Sequence, residues 1–139
     1  MRDSHVKLLS TLHKSVYRAT RGRIGPRLVD NDMLLLTTTG QKTGDKHTIP
    51  LLYLTDGEDL IVVASYGGRV KHPQWYRNLV ATPTVSAQIL STSITLDAVT
   101  MNPLERQEWW PRIVDAYSDY AVYQSRTDRK IPVVRLTPA

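Results

Sequence analysis

Six short β-prone runs, each closed by a turn signal, constrain this chain more than any other feature. MLLLTTT (33–39), HTIPLLYL (47–54) and DLIVVAS (59–65) are rich in β-branched and aliphatic residues, are punctuated by Gly-containing turns, and read as a β-meander. TVSAQIL (84–90) and ITLDAVT (94–100) alternate and are split by a short polar STS, giving a fourth and fifth strand, and PVVRLT (132–137) adds a sixth. Between the third and fourth, HPQWYRNLVATP carries a proline near each end, as a short helix would. Asn102 followed by Pro103 reads as the N-cap of a second helix through LERQEWW, with Pro111 marking a kink or a restart. The expected architecture is α+β: about six mostly antiparallel strands, curled into a barrel, with helices around them. Pro50 removes a ladder donor from the second strand, so that strand should be an edge or carry a bulge, where a flat ligand ring could face the backbone.

With 139 residues and 41% apolar composition, the chain can bury one core. The absence of cysteine excludes disulfides, thiolate metal sites and thiol nucleophiles, so redox chemistry would need a bound cofactor. His5, His13, His47 and His72 lack metal-ligand spacing, and no Walker A, dinucleotide, HExxH or GxSxG motif occurs. No apolar run reaches the length of a membrane span and the polar start MRDSHVK is unlike a secretion signal, which points to the cytoplasm.

The net charge of +5 is concentrated at one end, because residues 1–27 hold seven Lys/Arg and one acid. There Val6, Leu8, Leu9, Leu12, Val16 and Ala19 group on one side of a helical wheel and Lys7, Lys14, Arg18 and Arg21 on the other. Such a basic amphipathic helix can pack on the domain or lie peripherally on the inner face of an anionic membrane. Aromatic residues are not interleaved with this charge, which argues against nucleic acid. Residues 28–139 form the remaining domain.

In a meander, the turn GQKTGDKH and the loop SYGGRVKHP emerge at one end of the sheet. They gather Lys42, Lys46, His47, Arg69, Lys71 and His72 there, while TDGED puts Asp56, Glu58 and Asp59 at the other. Gly40, Gly44, Gly67 and Gly68 are expected to leave amides free for an anion, the alternative being that they serve only positive φ. Tyr117, Tyr120 and Tyr123 share one helical face and could wall a pocket or simply pack on the sheet. Trp75, Trp109 and Trp110 read as core anchors, and Asp128 with Arg129 as a local ion pair.

Three blocks, LLLTTTGQKTGDKHTIPLLYL, VVASYGGRVKHPQWYRNL and WWPRIVDAYSDYAVYQSRTDRKIPVVRL, resemble in order and spacing those of the deazaflavin-dependent nitroreductase family of actinobacteria. The resemblance implies a split β-barrel that binds coenzyme F420, an 8-hydroxy-5-deazaflavin with a phosphate and an oligoglutamate tail. It implies hydride transfer to a quinone, a nitroimidazole or a similar acceptor. By that analogy Lys42, Thr43 and Gly44 approach the phosphate and tail, and Pro50, Leu51 and Leu52 pass beside the ring. Ser65, Tyr66, Gly67, Gly68, Lys71, His72, Trp75, Tyr76 and Asn78 complete the cofactor groove. Leu52, Ser65, Tyr117, Tyr120 and Tyr123 face the acceptor, with Ser65, Tyr120 and Tyr123 as the candidate catalytic groups. The family usually has Arg at Gln41, Lys at Tyr66 and Trp at Arg126, so tail contacts and acceptor choice are open. An FMN enzyme of the same fold and a non-catalytic F420 carrier are the rival expectations, as monomer or homodimer, with no metal.

Overall fold

Seven antiparallel strands form one curled sheet in the computed structural model, which describes residues 33–139; the basic amphipathic helix expected over 1–27 lies outside the described residues. The strands are β1 (Met33–Thr39), β2 (Lys46–Leu52), β3 (Leu54–Asp56), β4 (Asp59–Val63), β5 (Thr84–Ile89), β6 (Thr92–Thr100) and β7 (Val133–Pro138), in the order β2-β1-β5-β6-β7-β4-β3. Three helices accompany them: α1 (Gln74–Ala81), α2 (Pro103–Ala116) and α3 (Asp119–Ser125). None of these is long and apolar enough to cross a membrane.

The expected meander needs one correction. HTIPLLYL is not a single strand: it breaks at Tyr53, which alone separates β2 from β3, and these two lie at opposite edges of the sheet. Among the described residues β2 pairs only with β1, Pro50 standing opposite Leu35, whereas the DLIVVAS run pairs with β3 and β7. Curling brings the two edges close enough for one residue to step between them, so the count is seven strands where six were expected. Pro50 does sit on an edge, where its missing N–H deprives no neighbour.

Alternation along the strands fills two apolar layers. Leu34, Leu36, Leu60, Val62, Leu96, Val134 and Leu136 point inside the curl with Trp75 and Leu79 of α1, each buried side chain contributing about 1.5–3 kcal/mol. Ile61, Val63 and Val133 point outward, where Trp109 and Ile113 of α2 and Tyr120 of α3 cover them. α2 starts as its sequence demands: the Asn102 side chain accepts the Glu105 N–H at 2.9 Å, with proline just inside. Pro111 does not restart it, for the helix is continuous; burial of Trp109 and Ile113 on either side outweighs the one hydrogen bond that proline cannot make. At the far end of the sheet, Arg135 gathers Asp56 (2.9 Å), Asp59 (2.8 Å) and Glu105 (2.8 Å), so the acidic turn is neutralised within the fold.

Candidate active site

A cavity of about 710 Å³ opens between the β2 edge, the end of β4, the loop that follows it, and the α2–α3 junction. β2 contributes Ile49 and Pro50 to Leu52, an apolar wall whose strand has no second neighbour among the described residues. Tyr117, Tyr120 and Tyr123 also line it, their rings meeting edge to face at 6.1 and 6.0 Å. Tyr117 ends α2 while the other two lie on α3, so the three form one wall across a helix break. Its hydroxyl donates to the Tyr53 carbonyl at 3.2 Å, tying that wall to the β2–β3 step.

Ser65 and Tyr120 each keep only 8% of their surface exposed and both border the cavity, yet neither hydroxyl has a hydrogen-bond partner among the described residues. An unpaired buried hydroxyl costs about 1–3 kcal/mol, so whatever fills the cavity, water or ligand, is the partner left to both. Burial first, and then the neighbouring Tyr117 and Tyr123, push the Tyr120 phenol far above its ordinary pKa of 10.0, so it stays protonated.

The loop between them is bent by three successive residues with positive φ: Tyr66 (50°), Gly67 (65°) and Gly68 (81°). Gly68 lies against α3, where a Cβ would overlap the Tyr123 carbonyl oxygen. The rim carries Arg69, whose guanidinium stacks 4.6 Å over the Tyr66 ring and donates to its hydroxyl at 3.2 Å. Arg126 sits 5.6 Å from the Tyr123 ring centre and donates to the Gly67 carbonyl at 3.4 Å.

Of the sequence-derived site residues, Pro50, Leu51, Leu52, Ser65, Tyr66, Gly67, Trp75, Tyr117, Tyr120 and Tyr123 line this cavity, and the others do not. Lys42, Thr43 and Gly44 form the exposed β1–β2 turn, Lys71 is exposed on the loop, and Gly68 lies beneath it. His72 and Tyr76 turn to a second cavity of about 580 Å³ beside α2, their rings 4.9 Å apart. His72 is not the cation expected at the basic end: burial, then Arg129 and Arg77, lower its pKa below the ordinary 6.5.

Asn78, 0% exposed, acts from inside the fold. Its Nδ2 donates to Thr38 Oγ1 (3.1 Å), and its Oδ1 accepts the Gln41 N–H (3.2 Å) and Gln74 Nε2 (2.8 Å), so it fastens the Lys42 turn to α1. The turn and the loop thus do emerge at one end. The glycine amides expected to be free are mostly spent: Gly40 donates to the Asp45 carbonyl (2.7 Å), Gly44 to the Gly40 carbonyl (2.9 Å) and Gly68 to the Ser65 carbonyl (3.0 Å). Among these four only the Gly67 N–H lacks a partner among the described residues.

Sequence reasoning missed Arg129. In place of a local pair with Asp128, it donates to the Ala64 (3.1 Å), Ser65 (2.5 Å) and Arg69 (2.9 Å) carbonyls and meets His72 Nδ1 at 2.9 Å. Carbonyl partners leave no mark in sequence. Met33, Ile49 and Gln74 also line the cavity and were not singled out; hydrophobic alternation along β1 and β2 was the only available signal for the first two.

The family model described as F420H(2)-dependent quinone reductase matches residues 9–138. An F420H(2)-dependent quinone reductase of Mycobacterium tuberculosis is 40% identical over 140 residues, spanning 97% of this chain and 94% of that protein. Among solved structures, an F420-H2 dependent reductase (FDR-A) superimposes with a TM-score of 0.69 at 42% identity, covering 76% of this chain and 93% of the other. A chain described as a domain-swapped dimer superimposes with a TM-score of 0.72 at 38% identity, covering 91% and 96%.

Proposed function

The chain belongs to the F420H(2)-dependent quinone reductase family, and from that premise we propose that the cavity beneath Ser65 and Tyr120 is where it joins reduced F420 to a quinone. It is an oxidoreductase of the split-barrel type with F420 as its cofactor. The observation that carries the site assignment is the pair of buried hydroxyls, without hydrogen-bond partners among the described residues, in one cavity that is also lined by the edge strand β2. A flat tricyclic ring fits such a wall: Pro50 to Leu52 offer apolar surface, and Gly67 adds no Cβ. An anionic tail fits the adjoining turn, where Lys42 is exposed and without an ion pair among the described residues.

Bound F420H2 supplies a hydride as a two-electron donor. The protein's part is placement and charge stabilisation. Val63, Trp75 and the tyrosine wall exclude water, while Leu52 and Tyr117 confine the acceptor. Ser65 and Tyr120 donate hydrogen bonds to the acceptor oxygen as negative charge grows on it, with Tyr123 completing the wall. Because the Tyr120 phenol holds its proton so firmly, it serves as a hydrogen-bond donor to that oxygen. Tyr120→Phe should therefore lower kcat with cofactor affinity intact; an unchanged kcat would remove it from the reaction.

Anaerobic titration with F420 and with FMN, followed by mixing the F420H2 complex with a soluble naphthoquinone, tests the assignment. Tight F420 binding and cofactor oxidation on mixing are expected. Equal or tighter FMN binding would overturn the cofactor reading, and F420 binding without oxidation would make the protein a carrier. Nitro compounds are electrophilic enough to take the same hydride and form the second acceptor panel.

We further propose that residues 1–27 bring the domain formed by 28–139 to an anionic membrane where lipophilic quinone resides, each basic group contributing about 1 kcal/mol. Equal flotation with liposomes in the presence and absence of residues 1–27 would exclude this. The domain-swapped relative supports a homodimer, which light scattering on the purified chain would decide.

A further inference from the structure

We propose that Arg129 is a positioning residue of this site, holding the Ala64–Arg69 loop in the one shape that presents the Ser65 hydroxyl to the cavity. The inference rests on the site assignment above and adds a residue that does not itself line the cavity.

The loop cannot hold that shape by its own preference. Tyr66 has a φ of 50°, a left-handed conformation that costs a residue with a side chain about 1–3 kcal/mol unless its surroundings impose it. Only two backbone hydrogen bonds close the bend, Gly68 N–H to the Ser65 carbonyl (3.0 Å) and Arg69 N–H to the Tyr66 carbonyl (3.2 Å). On one side α3 blocks it, through the contact at Gly68. On the other, Arg129 spans it: Nη1 reaches the Ala64 carbonyl, Nη2 the Ser65 carbonyl and Nε the Arg69 carbonyl, so one planar fork fixes the beginning and the end of the bend. The fourth contact, to His72 Nδ1, fastens the next residues of the chain.

The guanidinium is itself held in register. The Arg129 carbonyl accepts Gln124 Nε2 at 2.8 Å and its N–H donates to Thr127 Oγ1 at 3.1 Å. Gln124 Oε1 in turn takes Arg106 Nη2 at 3.0 Å and the Ile131 N–H at 3.0 Å, linking α2, α3 and the approach to β7. Arg129 makes no ion pair with any described carboxylate; its charge is directed at backbone carbonyls, of which Ala64 and Ser65 belong to buried residues. A lysine carries its three donors on a single nitrogen and has no planar fork, so it cannot match carbonyls met by three separate guanidinium nitrogens.

The test uses the full chain as Arg129→Lys and Arg129→Met, with hydrogen exchange measured over residues 64–72 and over β5–β6, and quinone kinetics resolved into kcat and KM. Exchange at the Gly68 and Arg69 amides should accelerate at least tenfold in both variants with β5–β6 unchanged. kcat should fall at least tenfold in Arg129→Met and less in Arg129→Lys, with KM moving under threefold. Should the methionine variant not fold, the lysine variant decides alone. Should the wild type fail to reduce quinone, the functional reading falls while the exchange data still judge the loop. Unchanged exchange at 68–69, equal acceleration throughout β5–β6, or faster loop exchange with unaltered kcat would each overturn the proposal.

Discussion

Replacing Asn78 with leucine keeps nearly the same volume and removes every polar contact, which makes its cost calculable. The Thr38 hydroxyl, 2% exposed, loses its partner in a site water cannot reach, costing about 1–3 kcal/mol. The half-buried Gln41 N–H belongs at the low end of that range, about 1 kcal/mol. Gln74 is exposed and its freed amide returns to water, contributing nothing. Leucine returns about 1 kcal/mol by apolar burial, so the net loss is about 2 kcal/mol, or about 6–10 °C in Tm for a domain of this size. Urea unfolding gives the first number. Because the same side chain ties down the turn bearing Lys42, F420 affinity by fluorescence quenching should also weaken about three- to tenfold, near 1 kcal/mol. Gln74→Ala, which removes only the exposed arm, should cost less than about 0.5 kcal/mol. A loss below about 0.5 kcal/mol for Asn78→Leu would mean that the contacts are readily replaced, and unchanged affinity would mean that the turn does not hold the cofactor.

Gly68→Ala should be harsher than its single methyl suggests, at least about 2 kcal/mol, since it combines strain at φ 81° with overlap on the Tyr123 carbonyl; wild-type stability in calorimetry would refute the tight loop–α3 contact. Lys42→Ala should raise the F420 Kd and flatten its salt dependence, and an unchanged salt slope would place the tail elsewhere. His72 titrates below 6.5 in the folded protein, so as pH falls through 6.5 the unfolded chain binds the proton first and stability declines, whereas above 6.5 this contribution is complete and constant. Urea midpoints of wild type and His72→Gln should therefore diverge below that pH and run parallel above it, and parallel curves throughout would show that the imidazole is not held neutral.

Much of the fold was legible because its signals are local. Alternation placed the strands, Asn102 with Pro103 opened α2, and Pro50 declared an edge. The break at Tyr53 was not legible, since the one strand-disturbing residue in HTIPLLYL, Pro50, lies three residues before it; the break follows from two sheet edges meeting in the curl, a fact that no window of eight residues contains. The tyrosine spacing brought the three rings to one cavity, but not as one helical face, since a helix ends at Tyr117 and the next carries the other two; the adjacent Asp128 suggested the wrong partner for Arg129, whose acceptors lie in the distant Ala64–Arg69 loop. The free glycine amides failed for a related reason. A tight turn that needs glycine also tends to close hydrogen bonds through it, as Gly40 and Gly44 do.

The placement of β7 between β6 and β4 governs how the molecule can assemble in time. β2-β1-β5-β6 form one set and β3-β4 form a hairpin, but the two sets have no ladder in common until Val133–Leu136 enters between them, and its pairing with β4 is the longest in sequence of the sheet. That entry is long-range in sequence, so it belongs to the slow part of folding. The cavity draws Pro50–Leu52 from the first set and Val63 and Ser65 from the end of the hairpin and the loop after it, so it does not exist in either alone. Refolding chains should recover most of their β-sheet circular dichroism before they can quench F420 fluorescence, and ligand present from the start should act only after the rate-limiting step, slowing unfolding without hastening folding.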